Sequence, residues 1–372
     1  MNIKIFDPAE SQTYMDIGPR DEALGVSGFS NLVIETIMPG GFYQATFEVT
    51  ASIMRPYPVH SYLPARITEG ASILFEGYVA PKYPRKNWSG DKQSLTFALY
   101  GLSAHFAELE VYGVYINAGA KASAFITDWL HYTAADSYSK GDPYLTCSIG
   151  DVSTTDTART SPIAWPKDAG SGATWRTVLD DLQKEEDWEW GIWEGKLLFF
   201  RPRPTAIAYY IYMSDSEGSL EDAYGNIVDW ETAAYKPAFG SDASRTWYPD
   251  TGFDPPANRL GVRKFMEGTG NMGIDQANQR VQTDYAYYSQ VHVTGPLTVY
   301  KIYDKDGIQI PLWLARAGAI CALKGHAPWE PTIDQFRIKH TSYAHSLRPA
   351  LTLEREELSA SLERILAKTG GR

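Results

Sequence analysis

The sequence predicts a mainly β, α+β chain in which two β-rich units flank a helix-containing unit and a helix comes last. Three observations carry this. Apolar and polar residues alternate over short runs, the period of a half-buried strand. Turn residues separate these runs at intervals of about ten to twenty residues. A helical period is clear only at 121–132, 174–186 and 353–367.

The first forty residues read as short strands or an arm, broken at Pro8, Gly18, Pro19, Gly25 and Gly28. From Gln44 to Ile53, Ala45, Phe47, Val49, Ala51 and Ile53 alternate with Thr46, Glu48, Thr50 and Ser52, which predicts a strand with one apolar face. Further strands follow at Ala65–Thr68, after a turn at Glu69-Gly70 at Ser72–Val79, and at Leu95–Leu99. Strands so spaced predict a small barrel or sandwich.

In Lys121–Tyr132, Ala122, Phe125, Ile126, Trp129 and Leu130 form one helical stripe. Ser137–Gly172 reads as loop with one short strand. Thr174 is placed to cap a helix ending at Glu186, with Trp175, Leu179 and Leu182 on one face. A hairpin then turns at Glu194-Gly195 between Trp188–Trp193 and Lys196–Arg201, and Pro202 and Pro204 close the unit.

Strands are next expected at Ile207–Met213, Asn258–Lys264, Ser289–Thr294, Leu297–Tyr303, Ile308–Leu314 and Phe336–Ser342. Gly240–Pro256 reads as a long loop, and Asp275–Tyr288 fits either a helix or an ordered loop. Leu353–Ala367 is expected to be helical, with Leu358, Leu362, Ile365 and Leu366 on one stripe. The predicted division is 1–110, 111–204, 205–350 and 351–372.

Composition narrows the function. The formal charge of −11 is wrong for a protein whose main task is to wrap nucleic acid, which needs clustered positive charge. Hydrophobic residues at 44% supply ordinary cores, and charged residues at 21% are too few for a coiled coil or a disordered chain. Tyr, at 24, is the most numerous aromatic, suited to half-buried pleated surfaces and interfaces. Cys147 and Cys321 make neither a disulfide framework nor a zinc cage, which favours a reducing compartment of synthesis. No apolar run is long enough to span a bilayer, and the N-terminus lacks the pattern of a secretory signal.

Reactive motifs are weak. The seven histidines include no metal-binding spacing, and His340 and His345 flank a strand end. Cys147 with His131 carries no thiol-protease signature. Gly170–Thr174 opens a helix but lacks the lysine of a phosphate loop. Gly25–Gly28 lacks the spacing of a nucleophile elbow. Asp215–Asp222 is acidic, but its Gly218 is misplaced for an EF-hand, so a solvated loop is favoured over weak calcium binding. Glu185, Glu186, Asp187 and Glu189 invite a glycosidase reading, but consecutive acids point in different directions. Trp188, Trp190 and Trp193 fit a core packed on the Trp175 face better than a sugar platform.

The order of several stretches resembles the tail hub proteins of tailed bacteriophages, the baseplate-hub and tail-tip family that includes late control protein D. These are Ala45–Val49, Ala65–Gly70 and Ile73–Val79 for a first barrel, and Leu95–Leu102 for the strand leaving it. Thr174–Pro202 resembles the inserted domain and Asn258–Arg263 the entry to a second barrel. Ile308–Leu314 with Arg316, then Phe336–Tyr343 and Leu351–Leu366, resemble the family's ending. The resemblance implies two tail-tube-like antiparallel β-barrel modules with an inserted α+β domain and a C-terminal helix. It implies a non-enzymatic structural virion protein without cofactors, forming a homotrimeric ring at the tail tip or baseplate. Partners would be copies of itself, the distal tail protein, the tape measure protein and a tip or fibre protein. DNA would only pass through an acidic lumen, the chain would not insert into a membrane, and assembly would occur in the host cytoplasm. A distal tail adaptor ring and a carbohydrate-binding protein or glycosidase are the alternatives. Larger hubs carry enzymatic or receptor-binding modules at their C-terminal end, and their absence after Leu353–Ala367 speaks against an enzyme. The stripe Leu358, Leu362, Ile365 and Leu366 is the expected interface.

Overall fold

The structure is a computed structural model that describes residues 1–19, 28–50, 59–89, 92–111, 113–135, 147–166, 172–221, 235–241, 247–248, 261–267, 274, 278, 281–282, 285, 292–346 and 348–356. It is α+β and mainly β. The chain forms two compact units: residues 1–206, 310–320 and 337–372, and residues 207–309 and 321–336.

The first unit begins with β1 (Asn2–Phe6), β2 (Thr13–Ile17), β3 (Phe29–Ile37) and β4 (Gly40–Thr50). It continues with β5 (Pro64–Glu69), β6 (Ser72–Val79), β7 (Arg85–Ser89) and β8 (Lys92–Gly101). The antiparallel pairings run β2–β1–β5–β6–β8–β4–β3. A single parallel bridge between Pro19 and Phe29, with Phe29 N donating to Gly18 O at 2.9 Å, joins the β2 end back to β3. The seven strands thus make a circuit, which leaves few free edges. Of the two readings of the first forty residues, the described ones are short strands of the wall rather than an arm. Their alternation is short, and β1 pairs with β2 beside it and with β5 far along the chain, so sequence pattern alone does not decide between the two readings.

The alternation in β4 is realised: Ala45, Phe47 and Val49 are buried, and Phe47 stacks on Phe97 of β8 at 4.9 Å. Each such phenylalanine contributes about 1.5–3 kcal/mol on burial. The β5–β6 hairpin turns at Gly70, whose φ of 57° is the left-handed conformation that glycine adopts without a Cβ penalty. Residues 51–53 of the expected strand lie outside the described residues.

After the short helix α1 (Leu102–His105) come β9 (Glu110–Val111), β10 (Val114–Ile116), α2 (Ala122–Ala135), β11 (Ser148–Val152), β12 (Ile163–Trp165) and β13 (Ala173–Thr174). The expected loop 137–172 thus carries two short strands among its described residues. Next are α3 (Trp175–Glu186), β14 (Trp188–Trp193) and β15 (Leu197–Pro202). Asp156 caps α2, its carboxylate accepting from Ser123 N at 2.9 Å and Ser123 Oγ at 2.6 Å. Thr174 caps α3 in a reciprocal exchange with Thr177. The apolar faces of both helices meet the β14–β15 hairpin in one core that includes Ile126, Trp175, Val178, Leu182, Trp190 and Phe200.

The second unit contains β16 (Ile207–Tyr212), β17 (Ser216–Glu221), β18 (Tyr235–Ser241), β19 (Trp247–Tyr248), β20 (Gly261–Glu267), β21 (His292–Val299) and β22 (Ile302–Tyr303). Strand β17 pairs with β21, β16 with β22 and β24 (Ile320–Lys324), and β18 with β19 and, in parallel, β20. Gly295-Pro296 does not split β21, because the chain absorbs the pair at an irregularity in its register with β17. The expected strand Ile308–Leu314 is instead β23 (Gln309–Ile310) and a 3-10 turn at Leu312–Leu314, since Pro311 supplies no N–H for a ladder. Residues 240–241 and 247–248 of the expected loop are strand, and the described positions 274, 278, 281–282 and 285 are helical.

Strand β25 (Thr332–Ala344) belongs to the second unit up to Phe336 and to the first from Arg337. There it pairs with β3 and with β26 (Ala350–Arg355). Leu353–Arg355 are thus strand and not the start of a helix: Leu351 and Leu353 alternate into the core against Tyr343 and Thr341. The rest of that expected helix, with Leu358, Leu362, Ile365 and Leu366, lies outside the described residues.

Candidate functional site

In the first unit, β14 is the strand on which distant parts of the chain converge, and both its ends carry charge. Glu189 near its start is 2% exposed. Its carboxylate accepts hydrogen bonds from Arg337 Nη2 of β25 and, at 3.5 Å, from Arg201 Nε of β15. Around this pair, Arg203 faces Asp187 at 3.5 Å and donates to Glu356 at 3.1 Å, and Arg337 Nε lies 3.3 Å from Glu356. Burial pushes the Glu189 carboxyl up against the charges of Arg337 and Arg201, and burial likewise pushes Arg337 down against Glu189. Asp187 ends α3 in the left-handed conformation, which aims β14 into this cluster.

The far end of β14 is built differently. Gly191 and Ile192 pair in parallel with Gly40 and Gly41 of β4. Gly41 has a φ of 91°, and a Cβ there would stand 2.3 Å from Ile192 O, so only glycine lets the two backbones approach. Beyond it, Arg316 donates to both carboxylate oxygens of Glu194, one at 2.7 Å, and to Ile73 O at 3.2 Å. Its guanidinium also lies 4.9 Å from the Trp193 ring centre and 5.1 Å from that of Phe42. Burial opposes ionisation of Glu194, but the hydrogen bonds and charge of Arg316 outweigh it and hold the carboxyl below its usual range. Glu76, also buried, accepts from Gly195 N at 2.7 Å and Lys196 N at 3.1 Å, and so fixes the hairpin turn.

These clusters tie strands together. Glu189 is sealed beneath arginines, so it does not face a substrate. Trp188 and Trp190 are core, and Trp190 Nε1 donates to Asp180 at 2.8 Å, whose carboxyl is raised by burial against that hydrogen bond. The Cys147 thiol is buried and pushed up to about 12, far from a reactive thiolate. Asp215 is occupied by Lys301 and the Tyr303 hydroxyl, both at 2.8 Å. Among the described residues no cluster of three or more His, Cys, Asp or Glu is placed to hold a metal, and no helix is long and apolar enough to cross a membrane.

Among the described residues the two most exposed large apolar side chains are tryptophans. Trp329 is 85% exposed in the second unit and Trp88 is 74% exposed on the β7–β8 hairpin. Neither stood out in the sequence, where exposure is not legible.

No protein-family model and no curated protein matches the sequence. Solved structures share its fold. The 43 kDa tail protein of prophage MuSo2 from Shewanella oneidensis superposes with a TM-score of 0.51 at 11% identity, over 97% of this chain and 99% of that one. A tail protein from Neisseria meningitidis MC58 gives 0.53 at 10% identity, over 98% of each chain. The chain has the fold of a phage tail protein. At such low identity the likeness lies in the backbone.

Proposed function

We propose that the chain is a structural subunit of a bacteriophage tail, a trimeric hub ring at the tail tip that joins the tube to the tip or fibre and surrounds the channel for DNA. In this reading 1–110 and 205–350 supply the two ring-forming modules, the second lending 310–320 and 337–350 to the first compact unit, 111–204 is carried between them, and 351–372 contributes the contact stripe Leu358, Leu362, Ile365 and Leu366. The observation that carries the reading is the tail-protein fold over nearly the whole chain. The polar clusters support it, because each is consumed in holding strands together rather than left open for a reaction. Partners would be copies of itself and neighbouring tail proteins.

Native mass measurement and negative-stain imaging of the purified chain test this. Threefold rings, and the same chain located at the tip of intact particles, are the expected outcome. A sixfold ring would reassign the chain to a distal tail adaptor, and a position outside the tail would overturn the reading. Leu362→Asp is expected to block assembly and leave both units folded; normal particles from that variant would remove the stripe from the interface.

A further inference from the structure

The β7–β8 hairpin is the chain's opposite in charge. Residues 82–92 hold Lys82, Arg85, Lys86 and Lys92 against Asp91, while the rest of the chain has 30 basic and 44 acidic residues. Lys82, Arg85, Lys86, Asn87 and Trp88 are exposed. Among the described residues no carboxylate makes an ion pair with Lys82, Arg85 or Lys86, although the chain has acids in excess. The hairpin is regular, with Arg85 opposite Thr96, Lys86 opposite Leu95 and Trp88 opposite Gln93. Arg85 stacks over Tyr83 at 4.7 Å. Among the described pairings, β7 joins only β8. Lysines on such an edge strand are by themselves a common guard against aggregation. A guard has no use for a Trp held 74% in water beside them.

We infer that this hairpin is a docking arm whose occupant is a second copy of this chain, which outside the hairpin carries 44 acidic against 30 basic residues. Trp88 is the anchor, and Lys82, Arg85 and Lys86 are the charges that steer and orient it. The sign of the charge limits the type of contact. Two cationic hairpins repel, so the arm does not pair with its own counterpart, and arm to acidic residues, where two copies do not reciprocate it, is heterologous. A heterologous contact repeats head to tail and closes into a ring when its rotation allows. The inference rests on the ring reading above and gives it a named contact.

The test uses the full chain in sedimentation velocity at increasing salt, alongside Trp88→Ser, the pair Arg85→Glu with Lys86→Glu, and the control Arg85→Lys. Circular dichroism and melting temperature verify folding. Wild-type self-association is expected to weaken with salt. Trp88→Ser and the charge reversal are each expected to raise its dissociation constant about thirtyfold, the size of an interfacial anchor, while Arg85→Lys changes it little. Oligomers that form equally well in folded Trp88→Ser and charge-reversed protein would overturn the docking arm and leave the ring reading standing. A wild-type chain that stays monomeric at about 100 μM would also overturn the arm; the ring reading is then judged by imaging particles. Retention of short duplex DNA by wild type but not by the reversed variant, without self-association, would assign the arm to nucleic acid and overturn the proposal.

Discussion

The two ends of β14 are each gripped by an arginine from far along the chain, Arg337 at 148 residues from Glu189 and Arg316 at 122 residues from Glu194, yet they hold by different physics. The Glu189 end is dry. There both charges lose their water, and the pair is stable only because each compensates the other. The Glu194 end is wetter, with its side chain 39% exposed, and it relies on shape: a glycine contact, a forked hydrogen bond and a cation between two aromatic faces. The dry end is brittle to removal of one partner, and the wet end is graded in its response. The number of hydrogen bonds at each end does not foretell this; the solvent around them does.

The largest expected effect breaks the wet end through its backbone. Gly41→Val drives a side chain into Ile192 O and should destabilise the first unit by more than about 4 kcal/mol, read as a shift in the urea midpoint followed by Trp fluorescence. An unchanged midpoint would show that the β4–β14 approach carries no load. Next is Arg337→Met, which leaves Glu189 buried with Arg201 alone and should cost about 3–5 kcal/mol. Adding Glu189→Gln should recover part of that loss. A double-mutant cycle with no coupling would place these two residues outside one network.

Arg316→Lys should cost about 1 kcal/mol, because lysine keeps the charge but loses the fork and the planar stacking, and thermal melts would show it. The smallest effect is in acid. The folded Glu194 carboxyl lies below its ordinary value of 4.5, so its contribution is present above that pH and is lost as pH falls through the folded value. Exposure keeps the effect small. The melting-temperature gap between wild type and Glu194→Gln should therefore be open at pH 7 and close well below pH 4.5. A gap that stays constant with pH would deny the clamp.

Local signals were legible. The β4 alternation, the Gly70 turn, the Thr174 cap and the β14–β15 hairpin are decided within a few residues, and each stands where the pattern put it. Signals that depend on distant partners were not. The ring-closing contact at Pro19 and Phe29, the pairing of β1 with β5 and the partners of Glu189 and Glu194 leave no periodic trace. Glu189 is the clearest case: in sequence it is one of a run of acids that invites a catalytic reading, and only Arg337 explains it. Leu353 shows the converse. It opens the stretch 353–367 expected to be helical, but the neighbouring β25 takes it into a sheet.

The chain passes between its two units four times, at 206/207, 309/310, 320/321 and 336/337. A gene fragment covering 207–336 therefore carries Arg316 away with it, and with Arg316 goes the grip on Glu194. Neither unit is a cassette that recombination can exchange cleanly. Any shuffling that succeeds must preserve the eleven-residue loan at 310–320 as well as the unit that surrounds it in sequence.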